Sequence, residues 1–134
     1  MTDNAGTTDP GIVTKTSPRS VADTVTRFTG LLDARGVKVF AVIDQTAAAR
    51  EAGLELRDTT LVIFGSPAAG TPVMVAAPLA ALDLPLKILV WDDGGQTKVT
   101  YYAPAALAAR YQLSADLEHN LAAINVLTDA LVAP

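Results

Sequence analysis

The stretch from Thr59 to Tyr102 constrains the fold of this chain more than any other part of the sequence. It contains a run of apolar strand-forming residues, a loop rich in glycine and proline, a short helical segment and two further strand patterns. The last two patterns flank Asp92-Asp93-Gly94-Gly95, in which the glycines supply the positive φ angles of a tight hairpin turn. The stretch therefore predicts a sheet with antiparallel neighbours.

Strand and helix patterns alternate along the rest of the chain. Apolar and β-branched residues predict five strands, over residues 11–17, 37–43, 60–64, 84–91 and 96–102. The strand over residues 60–64 is apolar on both faces, so we expect it to be central and covered on both sides. Because a hairpin excludes a purely parallel sheet, we predict an α+β domain with a mostly antiparallel or mixed sheet backed by helices.

Capping residues and prolines locate about five helices. Ser20 is the predicted start of the first helix and Gly36 its end, Asp44 is the N-cap of a short second one, and Pro104 begins a fourth.

The third helix has two possible starts. Thr71 as N-cap with Pro72 at the first helical position predicts a helix over residues 73–77. Ser66-Pro67 is the competing start, which we disfavour because Pro72 would then interrupt the second turn.

The last helix is predicted to start at Ser114 and to run without a break. Its apolar face is wide, which predicts deep burial or an oligomer contact. The residues of that face are Leu117, Leu121, Ile124 and Leu131, widened by Ala122, Ala123, Val126 and Ala130.

Size and composition indicate one domain. The chain has 134 residues, half of them apolar, which is enough for one hydrophobic core. Residues 1–10 are small and polar and are predicted to form a disordered tail, so the domain is predicted to span residues 11–134.

Charge and residue content exclude several functions. The net charge is −4, and the ten basic residues are scattered among fourteen acidic ones, which argues against binding to nucleic acid or to an anionic membrane surface. The absence of cysteine excludes disulfides, zinc–thiolate sites and thiol catalysis. With one histidine, His119, and no metal-ligand spacing, no metal site is predicted. Since no signal peptide or membrane span is recognisable, we expect a cytoplasmic protein.

Three phrases carry a family resemblance. They are Phe64-Gly65-Ser66-Pro67, Gly70-Thr71-Pro72-Val73-Met74 and Asp83-Leu84-Pro85-Leu86-Lys87. Together with their spacing, they resemble domain-of-unknown-function family 302, and the resemblance covers about residues 12–113.

The resemblance implies a fold like that of the TATA-box-binding protein, with a curved, mostly antiparallel sheet of about five strands, and a homodimer. Members of the family often carry histidine where this chain has Gln45 and Tyr111. Any metal or haem role of those histidines would therefore be missing from this chain.

The candidate ligand site combines the glycine–proline loop with charged and aromatic residues of neighbouring strands. The loop is able to present backbone N–H groups to an anion, although we favour the interpretation in which its glycines and prolines only serve the connection from strand to helix. Lys87 is a charge inside an apolar strand, able to bind a carboxylate or phosphate, or simply to extend along an edge or pair with an acid such as Asp44. The predicted site residues are Asp44, Phe64, Gly65, Ser66, Gly70, Thr71, Met74, Lys87 and Trp91.

Three functions remain open at this point. The first is a non-catalytic dimeric domain that binds a small apolar or anionic ligand, or a partner protein, where residues 64–74 meet Lys87 and Trp91. The second is an enzyme that uses Lys87 with Asp44 or a tyrosine as an acid–base pair. The third is a purely structural homodimer. The sequence identifies no cofactor, and it favours a protein that is not an enzyme.

Overall fold

Five strands form one open antiparallel sheet. The computed structural model describes residues 11–134, so the predicted tail of residues 1–10 lies outside the described residues. The strand order is β1-β5-β4-β3-β2, and every neighbouring pair is antiparallel. The bounds are β1 Ile12–Ser17, β2 Lys38–Asp44, β3 Thr59–Gly65, β4 Leu86–Asp93 and β5 Gln96–Tyr102. The predicted α+β class with a five-stranded, mostly antiparallel sheet is confirmed.

Helices connect the strands and pack on one side of the sheet. Their bounds are α1 Val21–Ala34, α2 Gln45–Glu51, α3 Pro67–Ala76, α4 Pro104–Tyr111, α5 Ala115–Asn120 and α6 Ala123–Val132, with a 3₁₀ turn at Pro78–Leu82. No helix within residues 11–134 is long and apolar enough to cross a membrane.

The main hydrophobic core lies between the sheet and helices α1 and α6. Strands β3, β4 and β5 alternate buried and partly exposed residues, so one face of the sheet supplies the core and the other does not. The rings of Phe28 and Phe64 meet edge to face at its centre, with centroids 5.0 Å apart. The other buried residues of this core are Val21, Leu32, Val62, Ile88, Val90, Val99, Tyr101, Ile124, Leu127 and Leu131.

Local sequence accounts for the ends of several elements. The side chains of Ser20, Asp44 and Ser114 each accept a hydrogen bond from the backbone N–H three residues later, which caps α1, α2 and α5. Gly94 and Gly95 form the two-residue turn of the β4–β5 hairpin, with φ of 60° and 98°. These predictions are correct.

The predicted start of α3 is wrong. The helix begins at Pro67, with Ser66 as its N-cap, and Pro72 lies inside it. Pro72 lacks the N–H that would bond to the carbonyl of Ala68, so the helix gives up one hydrogen bond. It nevertheless continues, because its last turn buries Val73 completely in a second small core with Leu107 and Leu121.

Two further expectations need correction. The last helix is not continuous: it breaks at Leu121 and Ala122 into α5 and α6, and the break allows Leu121 to be buried against α3 and α4 while α6 packs on the main core. Strand β3 is an interior strand, but only one of its faces is buried, since Leu61 and Ile63 on the other face are partly exposed.

Candidate functional site

A mostly apolar cavity lies beside α3, between the end of β3 and the junction of α5 with α6. Its volume is about 380 Å³. It is lined by Val37, Phe40, Phe64, Gly65, Ser66, Pro67, Ala69, Gly70, Thr71, Met74, Leu84, Pro85, Leu86, Asn120, Leu121, Ala123 and Leu127. These residues include no acidic or basic side chain, and the only side-chain polar groups among them belong to Ser66, Thr71 and Asn120. We call this space the α3 cavity.

Two glycines in the wall of the α3 cavity lie at ordinary packing distances from their neighbours. A Cβ atom on Gly65 would lie 3.6 Å from Pro85 Cβ and 3.8 Å from Phe40 Cε2, so the end of β3 packs closely against both neighbours. One helical turn further on, Gly70 leaves space that the terminal methyl group of Met74 approaches. Because methionine is flexible, the wall that it forms is adaptable.

Asn120 is the one amide at the wall of the cavity. Its Nδ2 donates a 3.2 Å hydrogen bond to the carbonyl of Ala69, which joins the end of α5 to the first turn of α3. That bond leaves the Asn120 side-chain oxygen as an acceptor.

The structure divides the predicted site residues among three places. Six of the nine line the α3 cavity, namely Phe64, Gly65, Ser66, Gly70, Thr71 and Met74. Asp44 lines a separate groove between α1 and α2. Lys87 and Trp91 belong to the opposite face of the sheet, because Lys87 pairs with Ile63 in register whereas Phe64 pairs with Leu86. The single pocket expected from residues 64–74 together with Lys87 and Trp91 is therefore not formed.

Lys87 is held by backbone carbonyl groups. Its ammonium donates to the carbonyl oxygens of Asp83 and Pro85, at 3.1 Å and 2.9 Å. Burial lowers the pKa of Lys87, and the nearby charge of Asp83 opposes this effect. The carboxylate of Asp44 is on the other face, opposite Thr60, and caps α2, so the proposed acid–base pair of Lys87 and Asp44 does not come together.

Trp91 completes a short polar chain on its face of the sheet. Its indole N–H donates to Thr100 Oγ1 at 2.9 Å, and the Thr100 hydroxyl is 3.0 Å from that of Thr14.

Comparison with known proteins identifies the family. The model of the family described as "Domain of unknown function DUF302" matches residues 13–131. This chain belongs to the DUF302 family. The match is wider than the resemblance found in the sequence, since it includes α5 and nearly all of α6.

Two curated relatives carry a segment similar to this DUF302 domain. They are named fluoride-specific ion channel FluC 1, one from Brucella suis and one from Brucella abortus. Each is 43% identical over 106 residues, which is 78% of this chain but only 42% and 39% of the relatives. The chain thus spans less than half of their length.

A solved structure shares the fold. It is an uncharacterized conserved DUF302 protein from Bacillus stearothermophilus, with a TM-score of 0.77 and 21% identity. The match covers 92% of this chain and 97% of that one. At this identity the likeness extends to the fold alone.

Sequence reasoning missed several residues of the α3 cavity in this DUF302 domain. The register between β2 and β3 shifts at Phe40, and its ring lies at the cavity wall although 45% of its surface is exposed. Asn120 and Leu127 lie on either side of the break between α5 and α6, and both line the cavity.

Tyr111 contacts a carboxylate. Its hydroxyl donates to Asp83 Oδ2, and Arg110 lies 3.3 Å from the same oxygen. The hydrogen bond to Asp83, followed by burial, raises the pKa of Tyr111 above the usual value of about 10.

This raised pKa predicts a stability difference at alkaline pH. A tyrosine whose pKa is higher in the folded than in the unfolded state adds to the free energy of unfolding. This contribution is complete below about pH 10 and is lost as the pH rises through the folded-state pKa. In melting scans from pH 8 to pH 11, we therefore expect the advantage of wild type over Tyr111→Phe to shrink above about pH 10. Tyr102→Phe, at an exposed tyrosine, is the control. An advantage that stays constant over this range would contradict the assignment.

Proposed function

We propose that this DUF302 domain is a non-catalytic binding module that takes up a small, neutral, apolar molecule in the α3 cavity. The observation that supports the proposal is the lining of that cavity, which combines two phenylalanine rings, aliphatic side chains and Met74 with no charged group. A volume of about 380 Å³ falls within the range of about 300–1,000 Å³ typical of small-molecule sites.

The lining also favours an apolar ligand over an anionic one. An anion in this cavity would lose its hydration without meeting a lysine or arginine, because Lys87 is on the other face of the sheet. An apolar molecule instead gains about 0.8 kcal/mol for each methylene group that it buries. The side-chain oxygen of Asn120 is placed to accept one hydrogen bond from a ligand hydroxyl.

Two neighbouring alanines of α3 provide the test. Ala69 lines the α3 cavity, whereas Ala68 is exposed and does not. Both are in the first turn, and leucine is nearly as good a helix former as alanine. With N-phenyl-1-naphthylamine as a neutral fluorescent probe, Ala69→Leu should weaken binding at least about tenfold, while Ala68→Leu should bind like wild type.

Two results would contradict the apolar ligand. Saturable binding that Ala69→Leu and Ala68→Leu reduce equally would place the probe elsewhere. The cavity would be an anion site if wild type did not bind the probe but did bind the anion hexanoate, and if Ala69→Leu abolished the binding of hexanoate. Melting scans of both variants verify that they are folded.

The domain is further proposed to be a homodimer that associates through the face of the sheet opposite the helices, which we call the open face. Partly exposed apolar residues concentrate there, among them Ile43, Leu61, Ile63, Leu89 and Trp91. In α6, by contrast, the wide apolar surface is mostly used within the domain, and Val126 is its one large exposed member. The cytoplasmic location and the likeness to the TATA-box-binding protein remain predictions.

A second candidate function follows from the two Brucella relatives. Their printed name is a fluoride-specific ion channel, and the segment like this chain makes up less than half of each. This favours a role as an accessory domain beside such a channel. Fluoride efflux from liposomes that contain a fluoride channel, measured with and without the purified domain, tests it. An efflux rate unchanged at saturating domain would exclude this role.

A further inference from the structure

A second, polar groove lies at the other end of strands β2 and β3 from the α3 cavity. Its volume is about 350 Å³, and it is enclosed by the N-terminal half of α1, the end of β2, helix α2 and the start of β3. Val21 and Val25 of α1 form an apolar wall together with Val42, which is 48% exposed. We call this space the α1–α2 groove. None of its residues lines the α3 cavity.

Charged groups of both signs surround the groove without pairing with one another. Asp44, Asp58 and Arg50 line it, and the ion pairs found among residues 11–134 are Lys15–Asp129 and Arg110–Asp83, which include none of the three. Asp44 caps α2 with one carboxylate oxygen, which leaves the other oxygen available to a ligand. The groove therefore offers two carboxylates and one guanidinium to a ligand.

The register brings the two carboxylates to the same side of the sheet. Asp44 of β2 pairs with Thr60 of β3. Asp58 is two residues before Thr60, and its carbonyl accepts a hydrogen bond from the backbone N–H of Asp92 in β4. Asp58 is in the bend just before β3 and lines the same groove as Asp44, and diagonal neighbours in a regular ladder are about 7–8 Å apart. One ammonium group between them is thus within reach of both carboxylates.

One buried hydroxyl in the groove has no hydrogen-bond partner in the part of the chain that the structure describes. Thr60 is only 9% exposed, it lines the groove, and no hydrogen bond to its Oγ1 is found within residues 11–134. The hydroxyls of Thr46 and Thr59, close by, both donate to the carbonyl of Arg57. Since buried polar groups are nearly always hydrogen-bonded, the Thr60 hydroxyl, which has no partner among the described residues, is available to water or to a polar ligand atom in the groove.

We propose that the α1–α2 groove binds a small zwitterion with an aliphatic body, of the α-amino acid type. Its ammonium group lies between Asp44 and Asp58 and is within reach of Thr60 Oγ1, and its carboxylate reaches Arg50, which binds such groups with two parallel hydrogen bonds. The aliphatic body packs on Val21, Val25 and Val42. A ligand with only one charge would leave either Arg50 or the carboxylates unused.

The probe is L-norleucine, whose two matched analogues each lack one charge. Hexanoate lacks the ammonium group and pentylamine lacks the carboxylate. We expect L-norleucine to shift the backbone amide signals of Ala47 and Thr60 saturably in ¹⁵N–¹H spectra, with a Kd of about 1 mM or lower. Both analogues should bind at least about tenfold more weakly than L-norleucine. Raising the salt concentration should weaken the binding of L-norleucine.

Variants locate the site. Asp58→Asn and Thr60→Val should each raise the Kd of L-norleucine about tenfold. Asp33→Asn, at an exposed aspartate at the other end of α1, should leave its Kd unchanged, as should Ala69→Leu in the α3 cavity. The amide spectrum itself shows whether each variant is folded. The absence of saturable shifts, binding of hexanoate or pentylamine equal to that of L-norleucine, or equal Kd values for Asp58→Asn and Asp33→Asn would each overturn the proposal.

Discussion

Phe28→Ala is expected to lower the free energy of unfolding by about 3–5 kcal/mol, the largest stability effect of any substitution considered for this domain. Phe28 is fully buried, and it meets Phe64 edge to face at an angle of 85°. Truncation removes the aromatic contact and leaves a void that the rigid sheet face, formed by Val62, Ile88 and Val90, cannot close. Since domains of this kind are stable by about 5–15 kcal/mol, the variant should be close to unfolding.

Urea denaturation followed by the fluorescence of Trp91 measures the effect. Phe40→Ala is the matched control, because it removes the same ring from a position that is 45% exposed, and it should cost about 1 kcal/mol. If the two substitutions cost the same, the core is not organised around Phe28 and Phe64. The ring of Phe64 also lines the α3 cavity, so Phe28→Ala should weaken probe binding as well, in proportion to the movement of that ring.

The elements that the sequence predicts correctly are those whose ends depend on local chemistry. Ser20, Asp44 and Ser114 cap helices because their side chains reach a backbone N–H three residues away, and this geometry requires no tertiary contact. The start of α3 and the break between α5 and α6 depend instead on burial of Val73 and Leu121 in the same small core. Local propensity carries no information about that contact, so both predictions were wrong.

The candidate site was predictable only as far as it is contiguous in sequence. The six predicted site residues within residues 64–74 lie together because β3 runs directly into α3. Lys87 was misplaced since its face depends on the register of β4 against β3, and a shift of one residue would have moved it to the side of Phe64. Phe40 depends on a local irregularity in β2, for which the sequence gives no sign.

The second large effect concerns the proposed homodimer. Five strands about 4.8 Å apart and about 3.3 Å of rise per residue give the open face dimensions of about 24 Å by 23 Å. As a flat surface this is about 550 Å², and the side chains that project from it add to that area. A standard interface buries about 800 Å² on each partner, so a second copy of the sheet is a suitable cover.

The polar groups of the open face are also compatible with burial in a dimer. Trp91 donates to Thr100, Lys98 to Thr16, and Lys87 to backbone carbonyls. The indole N–H of Trp91 therefore keeps its acceptor in a dimer, whereas the ammonium groups of Lys87 and Lys98 have further N–H groups that the second copy or water has to accept.

Leu89→Glu should therefore dissociate the dimer. Leu89 is in the central strand β4, between Leu61 and Thr100, and a twofold interface would bury its glutamate replacement in both copies. An unpaired buried charge costs several kcal/mol, so the Kd of dimerisation should rise at least about 100-fold in sedimentation velocity. Val126→Glu places the same charge on α6, where the side chain is 59% exposed, and should leave the dimer intact. The opposite pattern would move the interface to α6, and a monomeric wild type at high concentration would refute the homodimer.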